Sequence, residues 1–311
     1  MDLRQLEYIV TIEREKNISR AAEKLYLTQS ALNQQLLRLE QDVGMPLFER
    51  RNRVMVPTYA GRIYLDAAKR MLDIKRETYK AIQDIADEQG GEIAIAYSPE
   101  AGARLFSAVY PLFHEKYPGV TFKIHEERVK VMERLLLQKT VDMACLTYYK
   151  ERKNPALEYI ATGSEHIVLG LPVKHPLAYL AGERSYETLP LIDLKLLENE
   201  KFVIQKPETL IREMVDLMFS HAGFVPKILF EASSTLTAIN IVRAQIAPAF
   251  FPESYVDPDA PMVYFTVAPN HKWVRSVGFL RGSYLTKPEK YLIELIKAHY
   301  QKLRCGMEDT M

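Results

Sequence analysis

The side chains near the start of the chain that could recognise another molecule are amides and hydroxyls spaced along one predicted helix. Leu32, Leu36 and Leu39 repeat at helical spacing and form a face suited to burial. Amide side chains pair bidentately with adenine, and Arg pairs with guanine or with phosphate. The opposite face is rich in such groups, which favours nucleic-acid contact over an ordinary solvated face: Gln29, Ser30, Asn33, Gln34 and Arg38.

Three short helices are predicted to hold this polar face in place. A first amphipathic helix begins near Leu3, and a second contains the small residues Ala21 and Ala22, which allow another helix to approach closely. The hydroxyls of Ser19 and Thr28 are predicted to cap the second and third helices, and both are candidate DNA contacts. Two helices joined by a short turn are typical of DNA-binding modules.

A basic hairpin is predicted directly after the third helix, with its tip near Asn52. Arg50, Arg51 and Arg53 belong to it. Arg53 could enter a minor groove, where negative potential is concentrated, and the alternative is contact with phosphates only. Residues 50–80 contain nine Lys or Arg against three Asp or Glu, although the net charge of the chain is only +1. Local clusters, rather than total charge, neutralise phosphates.

Together these residues resemble the LysR-type transcriptional regulators. The resemblance implies a winged helix-turn-helix whose recognition helix enters the major groove of a near-palindromic operator. It also implies a homodimer or homotetramer, contact with RNA polymerase, and no enzymatic activity. Asn33 and Gln34 depart from the family, which often has Ser and Arg there. The operator half-site is therefore expected to differ in detail from those of such family members. The matching positions are Ala21-Ala22, Leu25, 28–32, Leu36, Leu39-Glu40, Gly44, 46–50, Pro57-Thr58 and Ala60-Gly61.

A long helix is predicted between residues 59 and 90, after a DNA-binding domain at 1–58. Gly90 and Gly91 are predicted to end it and to form a hinge. Its apolar positions alternate spacings of four and three, which indicates a seam facing another helix. The alternative is packing against its own domain, whereas the resemblance implies that two chains pair here. The seam positions are Ala60, Tyr64, Ala67, Met71, Ile74, Thr78, Ala81 and Ile85.

Strands and helices alternate through residues 91–305, which predicts an α/β domain with a parallel sheet. Strands are predicted at 92–97, 120–124, 141–146, 166–171, 201–204 and 228–231. Helices are predicted at 105–117, 131–137, 210–222, 235–243 and 288–302.

This region resembles, more loosely, the effector-binding region of the same family, which is similar to type II periplasmic binding proteins. The resemblance implies two Rossmann-like subdomains, formed by residues 91–163 with 266–305 and by residues 164–265. A small-molecule effector is expected in the cleft between them. Gln245 and Ala247 stand where family members often have glycines, and Pro248 is unusual there, which predicts a stiffer cleft wall.

Polar residues follow several predicted strands, where ligands bind in open α/β folds. Arg128, Lys130 and Lys206 favour an anionic effector, whereas Glu100 opposes that preference. Helix capping and solvated loop charges are the alternative interpretations. Val129 stands where the family often has Ser or Thr. The candidate effector contacts are Ser98, Pro99, Glu100, Arg128, Val129, Lys130, Thr147, Tyr148, Gln205, Lys206, Thr209, Ser234 and Thr235.

Composition and motifs argue against other classes. The chain is 48% hydrophobic and 26% charged and lacks a run of eighteen apolar residues, so we expect no membrane span. Its first residues lack the basic-then-apolar pattern of a signal peptide, so we expect the protein in the cytoplasm. We find no nucleophile elbow, phosphate-binding glycine loop or metal-ligand spacing, which leaves an enzyme as the weaker alternative and predicts no metal or cofactor. A peroxide sensor would need two neighbouring reactive cysteines, and Cys145 and Cys305 do not resemble such a pair.

Overall fold

The computed structural model describes residues 2–52, 54–86, 90–149, 152–182, 189–270 and 272–305. The chain divides into two units, Met1–Asp87 and Glu88–Met311. Residues 59–86 of the long helix predicted at 59–90 belong to the same unit as the N-terminal module. The prediction that Gly90 ends this helix was wrong, because Gly90 begins a strand of the second unit. No helix within the described ranges is long and apolar enough to cross a bilayer.

The first unit begins with three helices, as predicted. Asn17 caps the second of them, because its side-chain oxygen accepts the N–H of Ser19 at 2.8 Å and of Arg20 at 3.1 Å. The prediction that Ser19 is the cap was wrong, since Asn caps as well as Ser and Asn17 stands two residues earlier, in extended backbone. The helices are α1 (Leu3–Glu15), α2 (Ile18–Lys24) and α3 (Gln29–Val43).

A hairpin and a long helix complete the first unit. The hairpin turns at Asn52, which adopts a φ of 49°, a left-handed conformation that Asn tolerates. The Glu40 carboxylate accepts the N–H groups of Leu47 at 2.7 Å and Phe48 at 3.0 Å, which ties the start of the hairpin to α3. These elements are β1 (Phe48–Arg51), β2 (Val54–Pro57) and α4 (Tyr59–Ala86).

Gly61 allows α4 to approach the hairpin closely, since a Cβ there would lie 1.9 Å from the carbonyl oxygen of Leu47. We expect Gly61→Ala to destabilise the first unit by about 1–3 kcal/mol, because helix and hairpin must separate. Thermal unfolding followed by circular dichroism measures this. The direction of the change in melting temperature is diagnostic, because Ala in place of Gly at an open helical position stabilises a protein by roughly 0.5–1 kcal/mol. A higher melting temperature would contradict the steric argument.

The second unit contains a ten-stranded sheet within the described residues. The observed bounds of α7 and α8 match the predicted ranges. α5 begins six residues earlier than predicted, because Pro99 is well suited to a first helical position. The elements are β3 (Gly90–Tyr97), α5 (Pro99–Lys116), β4 (Gly119–Glu126), α6 (Val129–Leu137), β5 (Met143–Tyr148), β6 (Leu157–Pro172), β7 (Leu191–Ile192), β8 (Lys201–Gln205), α7 (Leu210–Ala222), β9 (Lys227–Ala232), α8 (Thr235–Arg243), β10 (Ala249–Pro252), β11 (Met262–Val267), β12 (Lys272–Leu280) and α9 (Lys287–Cys305).

Two subdomains share this sheet. The first has the strand order β4-β3-β5-β12-β6, and the second has the order β6-β10-β8-β9 with β11 beside β6. β3 runs parallel to β4 and β5, and β8 runs parallel to β9 and β10. β12 runs antiparallel to β5 and β6. The sheet is therefore mixed rather than parallel as predicted, because β6 and β12 carry the chain back between the subdomains.

β6 is the first connection between the subdomains. Its first half pairs with β12 as far as His166, and its second half pairs with β10 and β11 from Ile167 onward. Residues 157–165 lay outside the predicted strands. β11 stays in the second subdomain to its end, since Thr266 and Val267 pair with β7. The return to the first subdomain therefore follows Val267, slightly later than the boundary expected at residue 266.

Candidate functional site

The polar face predicted on α3 is exposed. Leu32, Leu36 and Leu39 are at most 5% exposed and anchor the helix in the core of the first unit. Thr28 caps the helix, as predicted, by accepting the N–H of Ala31 at 3.2 Å. Because the buried leucines fix the rotation of α3, the opposite side chains face solvent: Gln29, Ser30, Asn33, Gln34 and Arg38.

Hydrogen bonds order the start of this face. Ser19 Oγ donates to Gln29 Oε1 at 2.9 Å, and the hydroxyls of Thr28 and Ser30 lie 3.1 Å apart. The structure thus brings Ser19, at the start of α2, into contact with Gln29 at the start of α3, beside the predicted contacts Thr28 and Ser30. Since Gln29 Oε1 is engaged by Ser19, the amide hydrogens of Gln29 are the groups that suit an acceptor such as adenine N7.

Tyr26 is a further surface residue of the turn between α2 and α3, and the sequence analysis treated it only as part of that turn. Its side chain is 97% exposed and its backbone has a φ of 54°. The N–H of Tyr26 is nevertheless held by the carbonyl of Glu23 at 3.1 Å. A bulky residue in a left-handed conformation is uncommon, and no local pattern in the sequence marked Tyr26 as such a position.

The basic hairpin presents two of its three predicted contacts. Arg50 and Arg51 are exposed on β1. Arg51 pairs with Glu49 at 2.6 Å, and both side chains are largely exposed, so the pair is weak and a phosphate can compete for the guanidinium. Arg53, the third predicted contact, lies outside the described residues.

An apolar stripe runs along α4. Ile63, Met71, Ile74 and Ile82 are between 41% and 65% exposed. At 100° per residue they lie within an arc of about 100° around the helix axis. Large apolar side chains this exposed and this aligned indicate a surface that another apolar surface covers.

The first positions of the predicted seam differ from this stripe. Ala60 and Tyr64 pack against the core of the first unit rather than facing outward, because α4 starts beside that core. Burial raises the pKa of Tyr64. The side chain of Ile85 lies outside the described residues. The outward seam is therefore formed by the middle of α4, where Met71 and Ile74 are exposed as predicted.

Two helices of the first subdomain start at predicted cleft residues. Ser98 and Arg128 occupy the cap positions of α5 and α6, and neither side chain makes a capping hydrogen bond. Pro99 and Val129 are the first residues of these helices. Helix starts carry amide hydrogens and a partial positive charge, and Arg128 is exposed, so this edge suits an anion.

Thr147 and Tyr148 lie within β5 and not in a loop after it. The sequence analysis ended this strand at Leu146, where the apolar run stops, but pairing with β12 continues through both residues. The ring of Tyr148 lies 5.5 Å from that of Tyr159, and Lys153 Nζ lies 4.5 Å from the Tyr148 ring centroid. Tyr148 therefore packs within its own subdomain.

Gln205 is the buried polar residue at the end of β8. Its Nε2 donates to the carbonyl of Phe250 at 2.7 Å, while its Oε1 has no hydrogen-bond partner in the described part of the chain. Lys206 follows and is exposed, and Thr209 caps α7 by accepting the N–H of Arg212 at 3.2 Å. A buried acceptor without a partner costs about 1–3 kcal/mol, which favours a ligand donor at Gln205.

Glu100 of the first subdomain meets Ser234 and Thr235 of the second, although the sequence analysis predicted them after different strands. The carboxylate of Glu100 on α5 accepts a hydrogen bond from Ser234 Oγ at the start of α8. It also accepts the N–H groups of Thr235 at 3.1 Å and Leu236 at 3.4 Å. Ser234 is in addition the cap of α8, since its Oγ accepts the N–H of Thr237 at 3.3 Å. A carboxylate of one subdomain is thus bound by a helix start of the other.

Lys130 forms a second contact between the subdomains. Its Nζ lies 3.8 Å from Glu213 on α7, and Arg152 Nη1 lies 2.6 Å from the same carboxylate. Both cations are more than 70% exposed, so water and salt weaken these pairs. Glu213 was missed because nothing local in the sequence links α7 to α6.

A buried ion pair joins the two strands that connect the subdomains. Glu165 on β6 pairs with Arg275 on β12, and it also accepts Trp273 Nε1 at 2.7 Å and the N–H of Ser254 at 3.0 Å. Arg275 donates to Ser254 Oγ at 2.8 Å and lies 4.5 Å from the ring centroid of Tyr300. The sequence analysis missed this network, because Glu165 lies more than a hundred residues before Trp273 and Arg275 along the chain.

Cys145 is enclosed in the core of the first subdomain, beside Leu105 and Val109. Burial raises the pKa of its thiol to about 12. Because the thiolate is the reactive form of Cys, this side chain is a poor redox sensor. The side chain of Cys305 lies outside the described residues.

A helix-turn-helix with a basic hairpin, in a chain that also carries a two-subdomain α/β unit, defines a DNA-binding regulator with a sensory domain. Residues 3–62 match the family model of the bacterial regulatory helix-turn-helix protein, lysR family, and residues 86–301 match the LysR substrate binding domain. The chain belongs to the LysR family of transcriptional regulators, as its resemblance implied. Its homologues are regulators and not enzymes.

Relatives match over most of their length. The uncharacterized HTH-type transcriptional regulator YybE of Bacillus subtilis is 25% identical over 303 residues, which is 97% of this chain and 100% of the relative. A probable RuBisCO transcriptional regulator of Synechocystis is 27% identical over 294 residues, which is 93% of this chain and 81% of the relative.

Solved structures show the same fold. Full-length OxyR from Pseudomonas aeruginosa has a TM-score of 0.65 at 20% identity, with coverage of 97% of this chain and 98% of that chain. Full-length BenM has a TM-score of 0.55 at 20% identity and covers 97% of both chains. CbnR in complex with its target DNA has a TM-score of 0.50 at 21% identity, with coverage of 96% of this chain and 100% of that chain.

Proposed function

We propose that this chain is a dimeric regulator that places α3 in the major groove of a near-palindromic operator. The observation that supports this proposal most directly is the exposed amide face of α3 opposite its buried leucines. Asn33, Gln34 and Arg38 would read base edges, and Arg50 and Arg51 would contact phosphates. The remaining proposed DNA contacts are Ser19, Thr28, Gln29, Ser30 and Arg53.

A second copy of the chain is the partner we propose for the apolar stripe of α4. Paired α4 helices would present two copies of α3 to two half-sites, which matches a near-palindromic operator. The exposed Met71 and Ile74 support this pairing. Assembly into tetramers, contact with RNA polymerase and action in the cytoplasm extend the same proposal.

A small molecule is the effector we propose for the cleft between the two subdomains. The helix starts at Ser98 and Arg128 suit an anionic group, and the buried Gln205 Oε1 suits a hydrogen-bond donor. Lys206, exposed at the end of β8, adds a positive charge. A ligand that prefers one arrangement of the subdomains shifts the population toward it and so alters DNA binding.

A metabolite library screened by thermal shift tests the effector proposal. At a hundredfold excess over Kd, a ligand stabilises the native state by about 2.7 kcal/mol, which raises the melting temperature by roughly 5–10 °C. Arg128→Ala should reduce this response to anionic compounds. Lys201→Ala, at the opposite end of its strand from the cleft, is the matched control and should respond like wild type. Equal responses of both variants, or no stabilising compound, would refute the proposed site.

A further inference from the structure

The start of α8 is already occupied by a carboxylate of the same chain. Glu100 accepts the hydroxyl hydrogen of Ser234 and the N–H groups of Thr235 and Leu236. The next N–H, that of Thr237, is used by Ser234 Oγ at 3.3 Å. The donors of the first turn of this nine-residue helix are therefore engaged by the Glu100 carboxylate and by the cap residue.

This arrangement is that of an anion bound at a helix N-terminus, where free N–H groups and the helix dipole favour negative charge. Here the anion is supplied from α5, more than 130 residues earlier in the chain. Glu100 is also in the first turn of α5, so a second helix dipole stabilises its charge. The contact thus joins the starts of two helices through one carboxylate.

A neighbouring contact strengthens the same connection. Arg104, one turn further along α5, donates to the carbonyl of Ser254 at 3.5 Å and lies 4.7 Å from the ring centroid of Tyr255. The contact of Lys130 with Glu213 is more exposed and correspondingly weaker. The Glu100 carboxylate, in contrast, is held by three oriented donors at a helix start.

We propose that Glu100 is a built-in carboxylate ligand that latches the two subdomains at the start of α8, and that a carboxylate-bearing effector displaces it. The proposal rests on the proposed function, because it concerns regulation of the same cleft. An external carboxylate would take over the Ser234 hydroxyl and the two backbone N–H groups. The released α5 would then let the subdomains change their relative arrangement.

The proposal is tested by asking whether a free carboxylate restores the stability of a variant that lacks Glu100. The full-length Glu100→Ala variant should melt roughly 4–8 °C below wild type in sodium chloride. Sodium acetate at the same ionic strength should recover at least half of the loss, because acetate fills the vacated position. Wild type should show no acetate-specific change, and Glu100→Ala combined with Ser234→Ala should not recover.

Glu213→Ala is the matched control, since it removes another carboxylate that lies between the subdomains, one that faces Lys130 and Arg152 instead of a helix start. It should melt equally in acetate and chloride. A Glu100→Ala variant that responds to acetate no more than this control would overturn the latch. The assay needs neither DNA nor the natural effector. A failed metabolite screen counts against the proposed effector and its displacement of Glu100, whereas a failed acetate response counts against the latch alone.

Hydrogen exchange supplies a second measurement if Glu100→Ala does not fold. Glu100→Gln keeps the size of the side chain but loses its charge. Exchange of the N–H groups of Thr235 and Leu236 should then be at least roughly tenfold faster than in wild type, because their charged acceptor is gone. Unchanged exchange at these two positions would overturn the proposal.

Discussion

The double substitution Met71→Glu and Ile74→Glu is expected to convert the chain to monomers and to weaken operator binding on the order of 10²- to 10⁴-fold. Both side chains are exposed in the single chain, so glutamates are tolerated there before assembly. In a paired helix they would place four carboxylates in one apolar seam, and an unpaired buried charge is strongly unfavourable. A monomer presents only one recognition helix and loses the gain from two linked half-sites.

Sedimentation of the purified chain measures the assembly state, and gel mobility on an operator recovered from random duplexes measures affinity. Met71→Leu with Ile74→Leu is the matched control, because it changes the same positions but keeps the stripe apolar. This control should retain the molecular mass of the wild-type assembly and the wild-type affinity for the operator. If the glutamate variant sediments like wild type, α4 does not pair through this stripe.

Asn33→Ala and Gln34→Ala are expected to reduce discrimination between operator and random DNA by roughly 5- to 150-fold each. The amides occupy the exposed first half of α3, which is the part of a recognition helix that reaches base edges. Binding to random DNA should change little, because it depends on phosphate contacts. Discrimination is therefore lost faster than overall affinity.

Competition between labelled operator and unlabelled random duplex, at a fixed salt concentration, directly gives the ratio of the affinities for operator and for random DNA. Gln41→Ala is the matched control, since Gln41 is an exposed amide on the same helix about 12 Å further along the axis than Asn33. It should leave the ratio unchanged. Equal loss on both DNAs for the Asn33 and Gln34 variants would mean that these amides do not read bases.

Local patterns were sufficient to predict the parts of the fold that depend on neighbouring residues. The spacing of Leu32, Leu36 and Leu39 predicted the buried face of α3, and Thr28 was correctly predicted as its cap. The exposed amide face followed directly from these two facts. The ranges of α7 and α8 were also correct, because Thr209 and Ser234 mark their starts with capping side chains.

Features that depend on distant residues were missed. The extra strand residues at Thr147 and Tyr148 exist because β12, far along the chain, pairs with them. Glu100 was predicted as a cleft residue, but its partners on α8 could not be inferred from spacing. Ala60 and Tyr64 fitted a heptad pattern, yet the adjacent core of the first unit covers them.

The hydrogen bond from Trp273 to Glu165 gives this protein a built-in optical probe. Trp273 is the single tryptophan of the chain, so all indole emission originates where β6 and β12 connect the subdomains. Its N–H is held by a carboxylate that also binds the segment after β10 through the N–H of Ser254. A rearrangement of this connection alters the polarity around one indole. The spectrum of the unlabelled protein can therefore report its conformational state in solution.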